Sequence, residues 1–165
     1  MKKEIILNTE QINQKIARIA HQIIECNIDE KEVIIAGIEK NGYIIATMIE
    51  KILANISDIK VTTCSVKINK ENPLDKVITS IRKEDYENKS LVLVDDVLNS
   101  GATLIYAIKH FLETEIKQFK TAVLVNRNHK KFPVKADFKG ISLSTTTINH
   151  VKVRFNENKA EAFLT

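Results

Sequence analysis

The chain has 165 residues, enough for a core that buries about two thirds of the unfolded surface, and its 44% hydrophobic content with only four glycines and two prolines excludes disordered and collagen-like classes. A net charge of +4, from 25 Lys and Arg against 21 Asp and Glu, is compatible with an anionic ligand or RNA and singles out neither. No apolar run reaches the roughly 18 residues of a membrane span, and Met1-Lys2-Lys3-Glu4 leads into only three apolar residues, too few for a signal peptide, so a soluble, cytoplasmic protein without membrane contact is expected.

The first expected element is a helix from Asn8 to about Cys26. Ile12, Ile16, Ile19 and Ile23 recur at helical spacing, and Asn8 followed three residues later by Gln11 has the pattern of a capping box. Arg18 and His21 share a neighbourhood on its surface, where plain solvation is the simplest reading. Cys26 and Cys64 lie far apart with no C-x-x-C pairing, a pattern that predicts buried free thiols rather than a disulfide or metal site. Val33 to Ile38, VIIAGI, is a buried strand, followed by the polar stretch Glu39-Lys40-Asn41-Gly42 and a helix carrying Ile44, Ile45, Met48, Ile49 and Ile52. Lys60 to Ile68 is a further strand, β-branched at Val61, Thr62, Thr63 and Val66. Asn69 to Ser90 has almost no period, two charge clusters and Pro73, which suits a functional or mobile loop, with a plain surface excursion as the other reading.

The chemistry concentrates in Leu91 to Thr103, LVLVDDVLNSGAT. Four apolar residues suit a central parallel strand covered on both faces, and ligands on such sheets bind beyond the carboxyl ends of the strands. Asp95 and Asp96 stand at that edge. The loop after them combines small residues, one glycine and hydroxyls, so that backbone N–H groups can converge on an anion at a helix N-terminus. Acids beside an anion cradle make sense if the ligand also carries a sugar diol, whose hydroxyls donate to carboxylates, or a bridging Mg²⁺. A simple N-cap with a solvated turn is the alternative. Neither G-x-x-x-x-G-K-[ST] nor G-x-G-x-x-G occurs, which argues against nucleoside triphosphatases and dinucleotide enzymes. A helix from Thr103 to Leu112 follows, then a strand at Thr121 to Val125, which ends in the basic loop Asn126 to Lys131. After Ala136-Asp137-Phe138-Lys139-Gly140 come strand candidates at Ile141 to Leu143 and Val151 to Phe155. No repeat or linker interrupts the chain, so residues 1–165 form one expected domain.

The Leu91 to Thr103 stretch closely resembles the signature of type I phosphoribosyltransferases. The resemblance implies an α/β fold with a central, mainly parallel sheet flanked by helices and a small hood built from the N- and C-terminal segments. It also implies that Asp95 and Asp96 face the ribose hydroxyls of phosphoribosyl pyrophosphate, and that Asn99, Ser100, Gly101, Ala102 and Thr103 hold the 5-phosphate. Glu39, Lys40, Asn41 and Gly42 match the pyrophosphate loop, and residues about 69–90 the loop that closes over the reacting sugar. Mg²⁺ would be held mainly by the substrate pyrophosphate, with no protein metal site. Asn99 stands where a small or aromatic residue is usual, Asn41 where arginine is usual, and Val66-Lys67-Ile68 where relatives carry Arg-Asp-Asp.

Three further stretches resemble one branch, the bifunctional pyrimidine operon attenuators with uracil phosphoribosyltransferase activity: Ala17 to Ile23, Ala122 to His129 with Pro133, and Ala136 to Gly140 leading to His150 to Arg154. The resemblance implies transfer of phosphoribosyl to uracil, giving UMP and pyrophosphate, in a homo-oligomer. The base would lie near Phe138 and the backbone of Lys139, covered by Ser144 to Thr147, although Phe138 reads nearly as well as core. Arg18, His21, Arg127 and His129 would border an RNA surface that Lys130 and Lys131 extend. The alternative function is a nucleotide-sensing, RNA-binding regulator of pyrimidine genes with weak or no catalysis.

Overall fold

Helix α1 (Thr9–Cys26) starts on a reciprocal cap, in which the Asn8 side chain accepts from the Gln11 backbone N–H and the Gln11 side chain accepts from that of Asn8. Its isoleucine stripe, Ile12, Ile16, Ile19 and Ile23, is fully buried. In the computed structural model, which describes residues 3–144 and 149–165, the stripe lies against one face of a six-stranded sheet.

The elements run β1 (Glu4–Leu7), α1, β2 (Glu32–Ile38), α2 (Asn41–Ile56), β3 (Lys60–Lys67), β4 (Ile78–Thr79), α3 (Lys83–Tyr86), β5 (Ser90–Leu98), α4 (Ala102–Phe111), β6 (Gln118–Arg127), β7 (Phe138–Leu143), β8 (Val151–Asn156) and β9 (Lys159–Leu164). The large sheet has the order β4-β3-β2-β5-β6-β7 and is parallel except for β4. Its inner strands are buried on both faces, as near-continuous apolar runs require. In β5 the side chains alternate: Val92 and Val94 join the cluster under α1 and α2, while Leu91 and Leu93 join Leu104, Ala107 and Phe111 of α4 on the other face. β1, β9 and β8 form a separate three-stranded antiparallel sheet. Its Val151, Val153, Ala160 and Ala162 continue the α1/α2 cluster. None of the described helices is long and apolar enough to cross a membrane.

Several expectations need correction. β5 does not end at Val94; parallel pairing with β6 continues through Asp95 opposite Val123 and Leu98 opposite Asn126, so the acids belong to the strand itself. β6 likewise runs on to Arg127, and β7 begins at Phe138. β1 and β9 were not expected. Residues 69–90 are not irregular throughout: they contain β4 and α3, and Val77 and Tyr86 are buried with the α4 face. Cys64 is buried and free, whereas Cys26, also free, is exposed at the end of α1.

Candidate functional site

The site is built where α2, β5 and α4 meet the small sheet. Gly42 in the first turn of α2 is pressed against β5: a Cβ there would stand 2.6 Å from the Val94 carbonyl oxygen and 3.1 Å from the Asp95 Cα. Only glycine permits this approach, and it brings the neighbouring Asn41 over the acids. The Asn41 Nδ2 donates to Asp96 Oδ2 at 2.8 Å and to the Val153 carbonyl at 2.9 Å, joining the large sheet to β8.

Asp95 is buried and Asp96 partly so. The backbone N–H of Asp96 donates to Asp95 Oδ1 at 2.9 Å, the backbone N–H of Val97 donates to Asp96 Oδ1 at 2.8 Å, and Lys70 Nζ stands 3.9 Å from Asp95 Oδ1. Burial, reinforced by the charge of Asp96, pushes the Asp95 carboxyl up to about 8, against the opposing pull of Lys70 and the Asp96 backbone N–H. At neutral pH the pair therefore keeps a proton on Asp95. A cationic group entering the site would favour its release.

Beyond β5, Gly101 takes the left-handed conformation with φ +88° at the start of α4, and a Cβ on it would lie 2.5 Å from Val134 Cγ2. The N-cap residue Gly101 offers no side chain; the Ser100 Oγ accepts from the Ala102 N–H at 3.2 Å, and the next first-turn N–H groups have no partner within the helix. The loop is braced from behind, since the Ser100 carbonyl accepts from the N–H groups of Lys131 at 2.8 Å and Phe132 at 3.1 Å. A cavity of about 490 Å³ opens between these parts, lined by Asp95 to Leu104 on one side, by Asn41 and Lys70, and by Val151 to Phe155 with Phe163 on the other. It combines two carboxylates, an anion-ready helix start, and the cations Lys70, Lys152 and Arg154, a set suited to a polyhydroxylated, multiply phosphorylated ligand.

The structure thus brings Asp95, Asp96, Asn99, Ser100, Gly101, Ala102, Thr103 and Asn41 into one cavity. Gly42 supports it from behind, while Glu39 and Lys40 are exposed before α2 and do not line it. Nor are Phe138 and Lys139 there. Phe138 is buried in the α1/α2 cluster, and the Lys139 carbonyl accepts from Arg18 Nη2 at 3.1 Å. The covering segment expected at Ser144 to Thr147 falls, apart from Ser144, outside the described residues. The four basic residues differ in exposure, Arg18 and His21 being exposed and Arg127 and His129 buried or partly buried. Arg18 ties α1 to β7 through the Lys139 and Gly140 carbonyls, the ring nitrogen Nδ1 of exposed His21 lies 2.8 Å from the Ala17 carbonyl, and Arg127 is buried behind the loop after β5. His129 is partly buried. Sequence reasoning missed Lys70, Phe163 and the cavity-lining role of β8; the alternating Val151 to Phe155 pattern signalled a strand but not which site it would roof.

Comparison with known proteins gives a family match. The model of the phosphoribosyl transferase domain matches residues 3–158. The chain is 31% identical to the bifunctional protein PyrR of Haemophilus ducreyi over 160 residues, covering 92% of this chain and 89% of the relative. It is 33% identical to the bifunctional protein PyrR of Clostridium novyi over 170 residues, covering 96% and 94%. Among solved structures, a hypoxanthine-guanine phosphoribosyltransferase of Bacillus anthracis superposes with a TM-score of 0.74 at 18% identity, over 98% of this chain and 99% of that one. The hypoxanthine phosphoribosyltransferase of Trypanosoma cruzi superposes with a TM-score of 0.76 at 15% identity, over 90% and 84%. At such identities these two share the fold alone.

Proposed function

The chain belongs to the phosphoribosyl transferase family and is PyrR-like within it, and from that premise we propose that it transfers the phosphoribosyl group of phosphoribosyl pyrophosphate to uracil, forming UMP and releasing pyrophosphate. The observation that carries the reading is the Asp95–Asp96 pair in the C-terminal half of β5, sharing one cavity with the glycine-opened N-terminus of α4. In this reading the loop from Asn99 to Thr103 holds the 5-phosphate with backbone N–H groups and the helix dipole. Asp95 and Asp96 accept from the ribose 2′ and 3′ hydroxyls. Breaking the bond from the anomeric carbon to pyrophosphate builds positive charge on the sugar, which the two acids stabilise, so no covalent nucleophile is needed.

The likeness to PyrR proteins favours uracil over the purines named for the structural neighbours. Val97, Val151 and Val153 supply the apolar lining available to the base, whereas Phe138 is buried away from the cavity. The three-stranded sheet acts as the hood, and residues 69–77, which carry Lys70 to Asp95, as the part of the loop that closes on the sugar. Among the described residues no three His, Cys, Asp or Glu side chains converge on a possible metal site, but the Asp95–Asp96 pair suits an ion shared with substrate oxygens. Mg²⁺ bound with the pyrophosphate would neutralise the departing charge. The reading is tested by turnover with uracil, hypoxanthine, guanine and orotate; conversion of a purine but not uracil would overturn the base assignment.

The bifunctional relatives support a second role, regulation of pyrimidine genes by RNA binding. Exposed Arg18, His21, Lys130 and Lys131 are the phosphate contacts available for it. Such binding should be sensitive to salt and to UMP and should discriminate a pyrimidine-gene leader from scrambled RNA; equal binding of the two would exclude it. A homo-oligomer, expected from the family, is read directly by sedimentation.

A further inference from the structure

The loop proposed to hold the 5-phosphate, Asn99-Ser100-Gly101-Ala102-Thr103, contains no cation. A helix start offers about half an elementary charge, and the cations that line the cavity, Lys70, Lys152 and Arg154, stand on other segments. Arg127 lies directly behind this loop. Leu98 of β5 pairs with Asn126 of β6, so the next residue of each strand, Asn99 and Arg127, emerges at the same level of the sheet. The Arg127 Nη1 donates to Asn99 Oδ1 at 3.1 Å and Nη2 donates to the Asn149 carbonyl at 2.8 Å, and the residue is only 6% exposed.

The contact depends on both residue types. The Asn99 amide oxygen supplies the side-chain acceptor, and the planar guanidinium donates in two directions at once. The residues that follow Arg127 continue the support through the Lys131 and Phe132 N–H groups on the Ser100 carbonyl, and through Val134 against Gly101. We propose that Arg127 is a positioning residue of the phosphate loop: its buried guanidinium holds Asn99 in place and supplies the positive charge that the loop lacks. The inference rests on the reading of residues 99–103 as the 5-phosphate site. It gives Arg127 an inward role in place of the RNA-facing one expected from the sequence.

The test compares ribose 5-phosphate with ribose, neither of which involves a base or turnover, by ligand-observed NMR titration of the full chain. The unmodified protein should prefer ribose 5-phosphate. In Arg127→Gln that preference should fall about tenfold with ribose binding unchanged. Arg127→Lys, which keeps the charge but not the fork, should lose about threefold, and Asn99→Ala, which keeps the charge unaimed, a similar amount. A purely structural role would weaken both ligands equally. That result, or an undiminished preference in Arg127→Gln, would overturn the proposal. If Arg127→Gln does not fold, undiminished preference in both Arg127→Lys and Asn99→Ala overturns it. An unmodified protein that binds both sugars alike refutes the phosphate-loop reading itself, and the role of Arg127 with it.

Discussion

Replacing Asp95 with asparagine should stabilise the fold while abolishing activity, and the size of the effect follows from where the Asp95 proton sits. The carboxyl titrates near 8 in the native protein and near the ordinary 3.8 once unfolded. Between those values the native state holds one proton more than the unfolded state, so its stability falls as pH rises, by about 1.4 kcal/mol per pH unit, and stops falling above the native value. From pH 4 to pH 7 the loss reaches about 4 kcal/mol. The asparagine side chain has nothing to ionise, keeps the volume, and retains an oxygen for the Asp96 N–H. The Lys70 contact, half exposed and 3.9 Å long, is no ion pair while Asp95 holds its proton, so its loss costs less than about 1 kcal/mol. Asp95→Asn should thus gain about 3 kcal/mol at pH 7 and almost nothing at pH 4. For a domain of this size that is roughly 6–12 °C in melting temperature. Scanning calorimetry of both proteins at about pH 4.5 and 7.5 reads it directly. A variant less stable than the parent at the higher pH, or shifted equally at both pH values, would refute the reasoning.

Asp96→Asn should keep the fold and lower turnover about 100-fold or more, because it removes charge beside the developing cation without changing volume; initial rates decide, and unchanged activity would mean that the site is misplaced. Gly42→Ala puts a methyl 2.6 Å from the Val94 carbonyl oxygen and should cost about 1–3 kcal/mol in denaturant melts, with weaker phosphoribosyl pyrophosphate binding because Asn41 moves off Asp96. Chelation of Mg²⁺ should stop turnover yet leave the melting temperature of the ligand-free protein unchanged, since the ion arrives with the substrate.

The sheet and its helices were legible because their signals are local. The isoleucine stripe and cap of α1, the VIIAGI and LVLV runs, and the Asp-Asp pair before Ser-Gly-Ala-Thr each specify an element without help from the rest of the chain. What was not legible depends on pairing between distant segments. Glu4–Leu7 is too short to read as a strand and becomes one only by pairing with Lys159–Leu164. The Asp residues lie within β5 because β6 runs alongside them, which their polarity hides. Arg127 looked like a surface cation because its neighbours are basic, whereas strand register turns it toward Asn99. Phe138 was equally readable as a stacking surface or as core, and only its burial under α1 separates the two.

Incubating the protein with labelled uracil, phosphoribosyl pyrophosphate and Mg²⁺ beside a metal-free control reads the proposed transfer itself. Labelled UMP should form in the first and not in the second. Absence of UMP from both, in protein that still binds phosphoribosyl pyrophosphate, would contradict it and leave the nucleotide-sensing regulator as the function of this cavity.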